Sequence, residues 1–90
     1  MSVKISQTLK IRFKRAIKRV QNLSSRPTNE LLLQLYALYK QANEGDCKGR
    51  ASGGLRERAK WKAWSSILGT SEFDAMTKYC EVVEHLVQAE

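Results

Sequence analysis

Tyr36, Tyr39 and Lys40 fall together in Leu35-Tyr-Ala-Leu-Tyr-Lys-Gln-Ala42, Lys60 stands beside Trp61 and Trp64 in Ala59-Lys-Trp-Lys-Ala-Trp64, and Tyr79 follows in Asp74-Ala-Met-Thr-Lys-Tyr79. Phenol rings beside ammonium groups suit a ligand that carries a flat heterocycle and phosphates: the rings stack or donate, and the cations neutralise. Tyr36 and Lys40 are four residues apart, so in a helix they share one face with Tyr39 at its side. The same residues serve catalysis poorly, because no nucleophile is paired with a base. Ser24-Ser25 and Ser65-Ser66 lack a base at a recognisable spacing and carry no nucleophile-elbow motif. His85 lies away from the apolar stripe of its segment and reads as exposed and non-catalytic. No metal cluster, phosphate-cradling Gly-rich loop or acid/base carboxylate pair stands out. A binding protein without a resident cofactor or metal is expected, not an enzyme.

Each of these residues also has a plainer reading. The tyrosines could be core or rim aromatics, Lys40 a solvated charge, and Trp61 and Trp64 core residues. The case for a site rests on the recurrence of the pattern in three segments. Tyr79 also sits at a buried-looking position, where its hydroxyl needs a partner that a phosphate oxygen would supply.

The elements that must position these groups are legible as four helices. From about Ile5 to Leu23, apolar residues at Ile5, Leu9, Phe13, Ala16, Ile17, Val20 and Leu23 occupy one sector of about 120°. Lysines and arginines fill the other side, which makes an amphipathic helix with a cationic back. Pro27 ends this segment and biases Arg26 to extended geometry. Thr28 or Asn29 can cap a second helix reaching about Asn43, with Gly45 just past it. Its apolar sector is unusually wide: Leu31, Leu35, Leu38 and Ala42 form one stripe, and Leu32, Leu33, Tyr36 and Tyr39 continue it round the cylinder. Either this helix is buried on several sides or part of it lines a ligand groove. Residues 44–55 read as a long loop, of the kind that often serves function. A third helix is predicted over about Glu57–Leu68, ended by Gly69. Ser71 with Asp74 resembles a capping box for a fourth, running to about Gln88 and carrying Met76, Tyr79, Cys80, Val83, Leu86 and Val87 on one stripe. Four helices with no strand signal predict an all-α bundle.

Ninety residues make one small domain, expected over 1–90, with a single modest core. The composition, 42% hydrophobic and 28% charged, is that of a folded soluble chain. No apolar run approaches the ~20 residues of a membrane span, and residues 1–24 form no apolar block of a secretory signal. Cys47 and Cys80 read as reduced thiols, which with the missing signal points to the cytoplasm. The net charge of +7 is concentrated: residues 1–29 hold eight Lys/Arg and no acid, while the rest nearly balances. An anionic partner is implied, whether phosphates, a nucleic acid or a membrane surface.

In wording and order these segments resemble the acyl-coenzyme A-binding protein family. The corresponding strings are Phe13, Pro27, Leu33 to Asp46 with its Leu-x-x-Tyr-x-x-Tyr-Lys-Gln-Ala core, and Ala59 to Tyr79, including Leu-Gly-Thr-Ser-Glu-Phe-Asp-Ala-Met-Thr-Lys-Tyr. The resemblance covers about residues 9–88. It implies an up-down-down-up four-helix bundle holding a medium- to long-chain acyl-CoA ester in a bowl. By the same resemblance, Lys40 and Lys60 meet the 3′-phosphate together with the hydroxyl of Tyr36. Tyr39 packs on the adenine, Tyr79 closes the nucleotide site, and Leu32, Leu33 and their neighbours carry the acyl chain. Three departures accompany it. The stretch Ala51–Arg58 is about two residues shorter than the family's loop and lacks its Pro-Gly and Asp-Phe-Lys-Gly. A basic phosphate-binding position at the end of the first helix is Gln21 here, with Lys18 or Arg26 as substitutes. The first helix is also far more cationic than is usual in the family. The implied function is a carrier that sequesters acyl-CoA and delivers it to enzymes using it. A basic helical module binding nucleic acid is the alternative, and contact of helix 1 with anionic membranes is compatible with the carrier. An organelle-targeting role for the N-terminus competes with the use of the same residues in the bundle.

Overall fold

A computed structural model describes residues 6–90, which form four helices: α1 (Gln7–Gln21), α2 (Asn29–Glu44), α3 (Leu55–Ser65) and α4 (Glu72–Gln88). Ile5, the first residue of the predicted α1 stripe, lies outside the described residues. Thr28 and Ser71 cap α2 and α4 as the sequence suggests, and Ser6, which the periodicity did not single out, caps α1. Ser6, Thr28 and Ser71 are extended, and their hydroxyls accept from the amides of Leu9, Leu31 and Asp74, satisfying donors that the first turn leaves free. The acidic groups in the first turns of α2 and α4, Glu30 there and Glu72 and Asp74 here, face the positive helix ends.

Three boundaries differ from expectation. α1 stops at Gln21, where the Asn22 side chain turns back to donate to the Lys18 carbonyl at 2.9 Å. α3 occupies 55–65 and not 57–68. Beyond Ser65 the amides of Ile67, Leu68 and Thr70 bond three residues back, to Trp64, Ser65 and Ile67. That tighter winding withdraws Ile67 and Leu68 from the α-helix. The chain then leaves at Gly69, whose φ of 89° favours glycine. At the other end α3 begins two residues earlier than predicted, after Gly54 and without a side-chain cap.

The helices lie in the spatial order α1, α4, α2, α3, since α4 packs on both α1 and α2, and α3 packs on α2. Their directions follow from the residues that meet. α1 and α4 run parallel: Lys10 and Lys14 lie near Glu72 and Met76, and the Ser24 amide reaches Glu90. α2 opposes α4, with Gln41 beside Thr70 and Tyr39 beside Tyr79. α3 is parallel to α2, because Tyr36 meets Lys60 and Lys40 meets Trp64. This is the up-down-down-up bundle. The Cα atoms span 41 × 34 × 15 Å, a slab one layer thick.

The core sits along α4. Ala75, Cys80 and Val83 are wholly buried there, with Met76 and Tyr79 nearly so, facing Leu9, Phe13 and Ala16 of α1 and Leu35, Leu38 and Ala42 of α2. Fully burying each large apolar side chain contributes roughly 1.5–3 kcal/mol. No residue of α3 is fully buried, so neither Trp61 nor Trp64 is a core residue. Arg12 of α1 grips Glu84 of α4 through Nε and Nη2 at 2.7 and 2.6 Å, which holds the Glu84 carboxyl below its ordinary range. Cys47 and Cys80 are free thiols, as expected, and burial raises that of Cys80.

Candidate functional site

α2 and α3 form a ladder with two rungs. Tyr36 and Lys40 are one turn apart on α2; Lys60 and Trp64 are one turn apart on α3. In the parallel arrangement Lys60 Nζ lies 5.5 Å from the centre of the Tyr36 ring, and Lys40 Nζ lies 5.1 Å from that of Trp64. Both are cation–π distances. Each lysine also has a carboxylate at hand: Lys40 is paired with Glu44, and Lys60 is 3.9 Å from Glu57. The Glu44 carboxylate keeps the Lys40 ammonium charged to higher pH than an ordinary lysine, against the opposing effect of its partial burial. The two ammonium groups are therefore held on one seam, and among the described residues each is paired by a glutamate that is at least half exposed.

The seam widens toward the start of both helices into a groove of about 500 Å³. Leu32, Leu33, Tyr36 and Lys60 line it, with Arg26 and Leu55 at its rim. Leu55 is 89% exposed, an unusual position for leucine in the first turn of a helix. The wide apolar sector of α2 is thereby explained on both counts: the helix is covered by α4 and by α3, and its remaining apolar side faces this groove.

A second cluster lies beside this seam, where Tyr39 of α2 meets α1 and α4. Tyr39, Tyr79 and Phe13 bring their rings together from three helices. Phe13 meets Tyr79 edge-on at 5.1 Å, and Tyr39 lies 6.2 Å from Phe13 and 6.5 Å from Tyr79. Tyr79 is buried, whereas Tyr39 is 41% exposed. Burial, more than the nearby Tyr39 and Cys80, pushes the Tyr79 phenol up to about 12.

The predicted residues thus divide between two connected places. Tyr36, Lys60, Leu32 and Leu33 share the groove, Lys40 stands one turn along its seam, and Tyr39 and Tyr79 belong to the ring cluster. Gln21 is exposed at the end of α1 and does not line the groove; Arg26, one of its two substitutes, does.

Sequence reasoning missed the group that locks the seam. Gln41 is completely buried. Its amide donates to Asp46 at 2.7 Å and to the Thr70 carbonyl at 2.8 Å, and its oxygen accepts from the Trp64 indole at 3.0 Å. The indole also reaches the Gly45 carbonyl at 2.9 Å, and Asp46 accepts from the Gly69 amide at 2.7 Å. These bonds hold the Asp46 carboxyl below its usual range. α2, α3 and both adjoining turns are tied at this one point. Gln41 follows Leu38 by three residues, just beside the apolar stripe, and nothing in that spacing marks it for burial.

A sequence model described as acyl CoA binding protein matches residues 10–83. The chain belongs to the acyl-CoA-binding protein family. Among relatives in this family, the acyl-CoA-binding protein of Brassica napus is 42% identical over 84 residues, 91% of each chain. That of Saccharomyces cerevisiae is 39% identical over 77 residues, covering 83% of this chain and 88% of its own length. The crystal structure of Oryza sativa acyl-CoA-binding protein 2 superposes with a TM-score of 0.84 at 34% identity, over 90% of this chain and 92% of that one. The family is one of binding proteins. Among the described residues, no helix is long and apolar enough to cross a membrane.

Proposed function

We propose that residues 1–90 form a single acyl-CoA-binding domain, and that this protein binds medium- to long-chain fatty acyl-CoA esters without catalysis and without a cofactor. It buffers them in the cytoplasm and passes them to enzymes that consume them. The observation that carries this reading is the α2–α3 seam, where two lysines and Tyr36 stand at the end of an apolar groove lined by Leu32 and Leu33. Lys40 and Lys60 exchange Glu44 and Glu57 for the 3′-phosphate, with the Tyr36 hydroxyl as donor. The exposed Tyr39 takes the adenine, and Tyr79 closes the nucleotide end from beneath. Gln21, neutral where the family has a cation, contributes at most a hydrogen bond, and the charge at that edge comes from Arg26.

Each charge-assisted bond to phosphate contributes roughly 1.5–3 kcal/mol, and each buried methylene about 0.8 kcal/mol. The nucleotide end therefore sets specificity for CoA, and the chain sets affinity up to the length of the groove. A nucleic-acid module built on α1 would account for the charge of that helix alone and leaves the ladder of α2 and α3 unexplained.

Calorimetric titration with palmitoyl-CoA, free CoA and palmitate tests this reading. Tight one-to-one binding of the ester is expected, weaker binding of CoA and none of palmitate. The Lys40→Ala/Lys60→Ala double variant should lose at least about 100-fold in affinity. Free CoA binding as tightly as the ester would overturn the division of roles, and an unaffected double variant would overturn the phosphate clamp.

A further inference from the structure

α1 is an outer helix. Among the described helices its backbone packs on α4 alone, so most of its surface outside the core stripe is open along one edge of the slab. Its basic residues divide by type across that edge. Lys10 and Lys14 border a depression shared with Phe13 and Ala42 on the side toward α2, and Lys18 continues their row at the next i, i+4 step. Arg12, Arg15 and Arg19 border a groove of about 370 Å³ on the side toward α4, with Thr8, Ala16 and Val83. The carboxylate at this groove, Glu84, is taken up by Arg12; Arg15 and Arg19 are in no ion pair among the described residues. Between the two rows, where a purely solvated face would be polar, stands Ile11 at 45% exposure.

We infer that this edge, with Ile11 at its centre and Arg15, Lys18 and Arg19 around it, docks on the surface of an anionic lipid bilayer. Cations on both flanks of one straight helix can meet a flat plane of phosphates together, and the isoleucine then enters the headgroup layer. The arginine groove has room for a lipid phosphate between two guanidinium forks. A polynucleotide would satisfy the cations equally, but it offers no apolar layer to Ile11. The inference goes beyond the proposed carrier role, and none of these residues lines the α2–α3 groove.

The ligand-free protein, sedimented with vesicles of phosphatidylcholine alone and with vesicles also containing phosphatidylserine, tests it. Binding to the anionic vesicles only is expected, weakening as salt is added. Each basic residue at such a surface is worth about fivefold in partitioning, so Arg15→Gln/Arg19→Gln should lower it about 30-fold. Ile11→Ser should lower it several-fold, even in the salt where the arginine effect is screened. Equal sedimentation with both vesicles, or variants indistinguishable from wild type, would overturn the inference. So would failure to sediment combined with tight, salt-dependent binding of a DNA duplex. Palmitoyl-CoA affinity measured on the same variants is expected to be unchanged, and its loss in parallel would overturn the separation of the two surfaces. Failure of the wild type to bind palmitoyl-CoA while sedimenting with anionic vesicles would count against the carrier role alone.

Discussion

Tyr79 joins the core to the candidate nucleotide end, and its phenol reports on both. Its proton is held by burial and by neighbouring groups, and no hydrogen bond contributes. Removing the hydroxyl therefore leaves packing intact. Tyr79→Phe should change stability by less than about 0.5 kcal/mol and weaken palmitoyl-CoA by about tenfold, through the lost bond to an anionic oxygen. The pH dependence has a definite sign. The phenol titrates near 10 in the unfolded chain and near 12 in the fold, so between those values the unfolded state releases its proton first. The stability of wild type relative to Tyr79→Phe is thus complete below pH 10 and declines as pH rises to about 12. Urea titrations of both proteins across that range would show it; a constant difference would mean that the phenol is not buried in solution. Gln41 is the opposite case, a side chain whose value is wholly structural. Gln41→Ala strands the Thr70 carbonyl, leaves Asp46 with the Gly69 amide alone and opens a cavity, at a cost of about 2–3 kcal/mol. A fall in urea midpoint with an unchanged slope is the expected result. A loss below about 0.5 kcal/mol would show that water replaces the amide.

Among the elements, α3 has the least intrinsic support. It lacks a side-chain cap and a fully buried residue, and it stays in place through Trp64 and the two rungs it shares with α2. Its first turn nevertheless carries Leu55, uncovered at the rim of the groove. An exposed leucine contributes little to the free protein and gains contact only when an acyl chain fills the groove beside it. Leu55→Ser should accordingly leave the urea midpoint within about 0.5 kcal/mol while weakening long-chain esters about three- to tenfold. Free CoA should bind as before. Equal weakening of CoA and ester would place Leu55 at the nucleotide end instead. The two boundary shifts at this helix have separate local origins: backbone bonding tightens after Ser65, and at the other end Leu55 and Arg56 join the helix after Gly54.

At the scale of the whole molecule, a one-layer slab has its core along α4 and its candidate site along the α2–α3 seam, so ligand and core share α2. A ligand spanning that seam adds contacts that the unfolded chain cannot make. At one hundred times its dissociation constant it contributes about 2.7 kcal/mol, which for a domain of this size raises Tm by roughly 10–20 °C. Thermal unfolding with palmitoyl-CoA should show that rise, and palmitate at the same concentration should not. Equal shifts from the two would indicate an apolar sink without a nucleotide site.

Periodicity alone was enough to read four helices, their caps at Thr28 and Ser71 and the core stripes of α1 and α4, because helix formation and amphipathic burial are local consequences of residue order. Residue types alone marked Tyr36, Lys40, Lys60 and Tyr79, because few other chemistries use phenols and ammonium groups in that pattern. The matching strings carried the order of the helices in the bundle and the nature of the ligand. Three things were decided only by tertiary structure. Parallel register brought Lys60 to Tyr36 and Lys40 to Trp64. Crossing of three helices gathered Phe13, Tyr39 and Tyr79. Gln41, an ordinary polar residue in the chain, became the buried node between two helices and two turns. Each depends on groups distant in sequence meeting at a few ångströms, and no spacing along one chain encodes which of its polar residues will be enclosed when its helices pack.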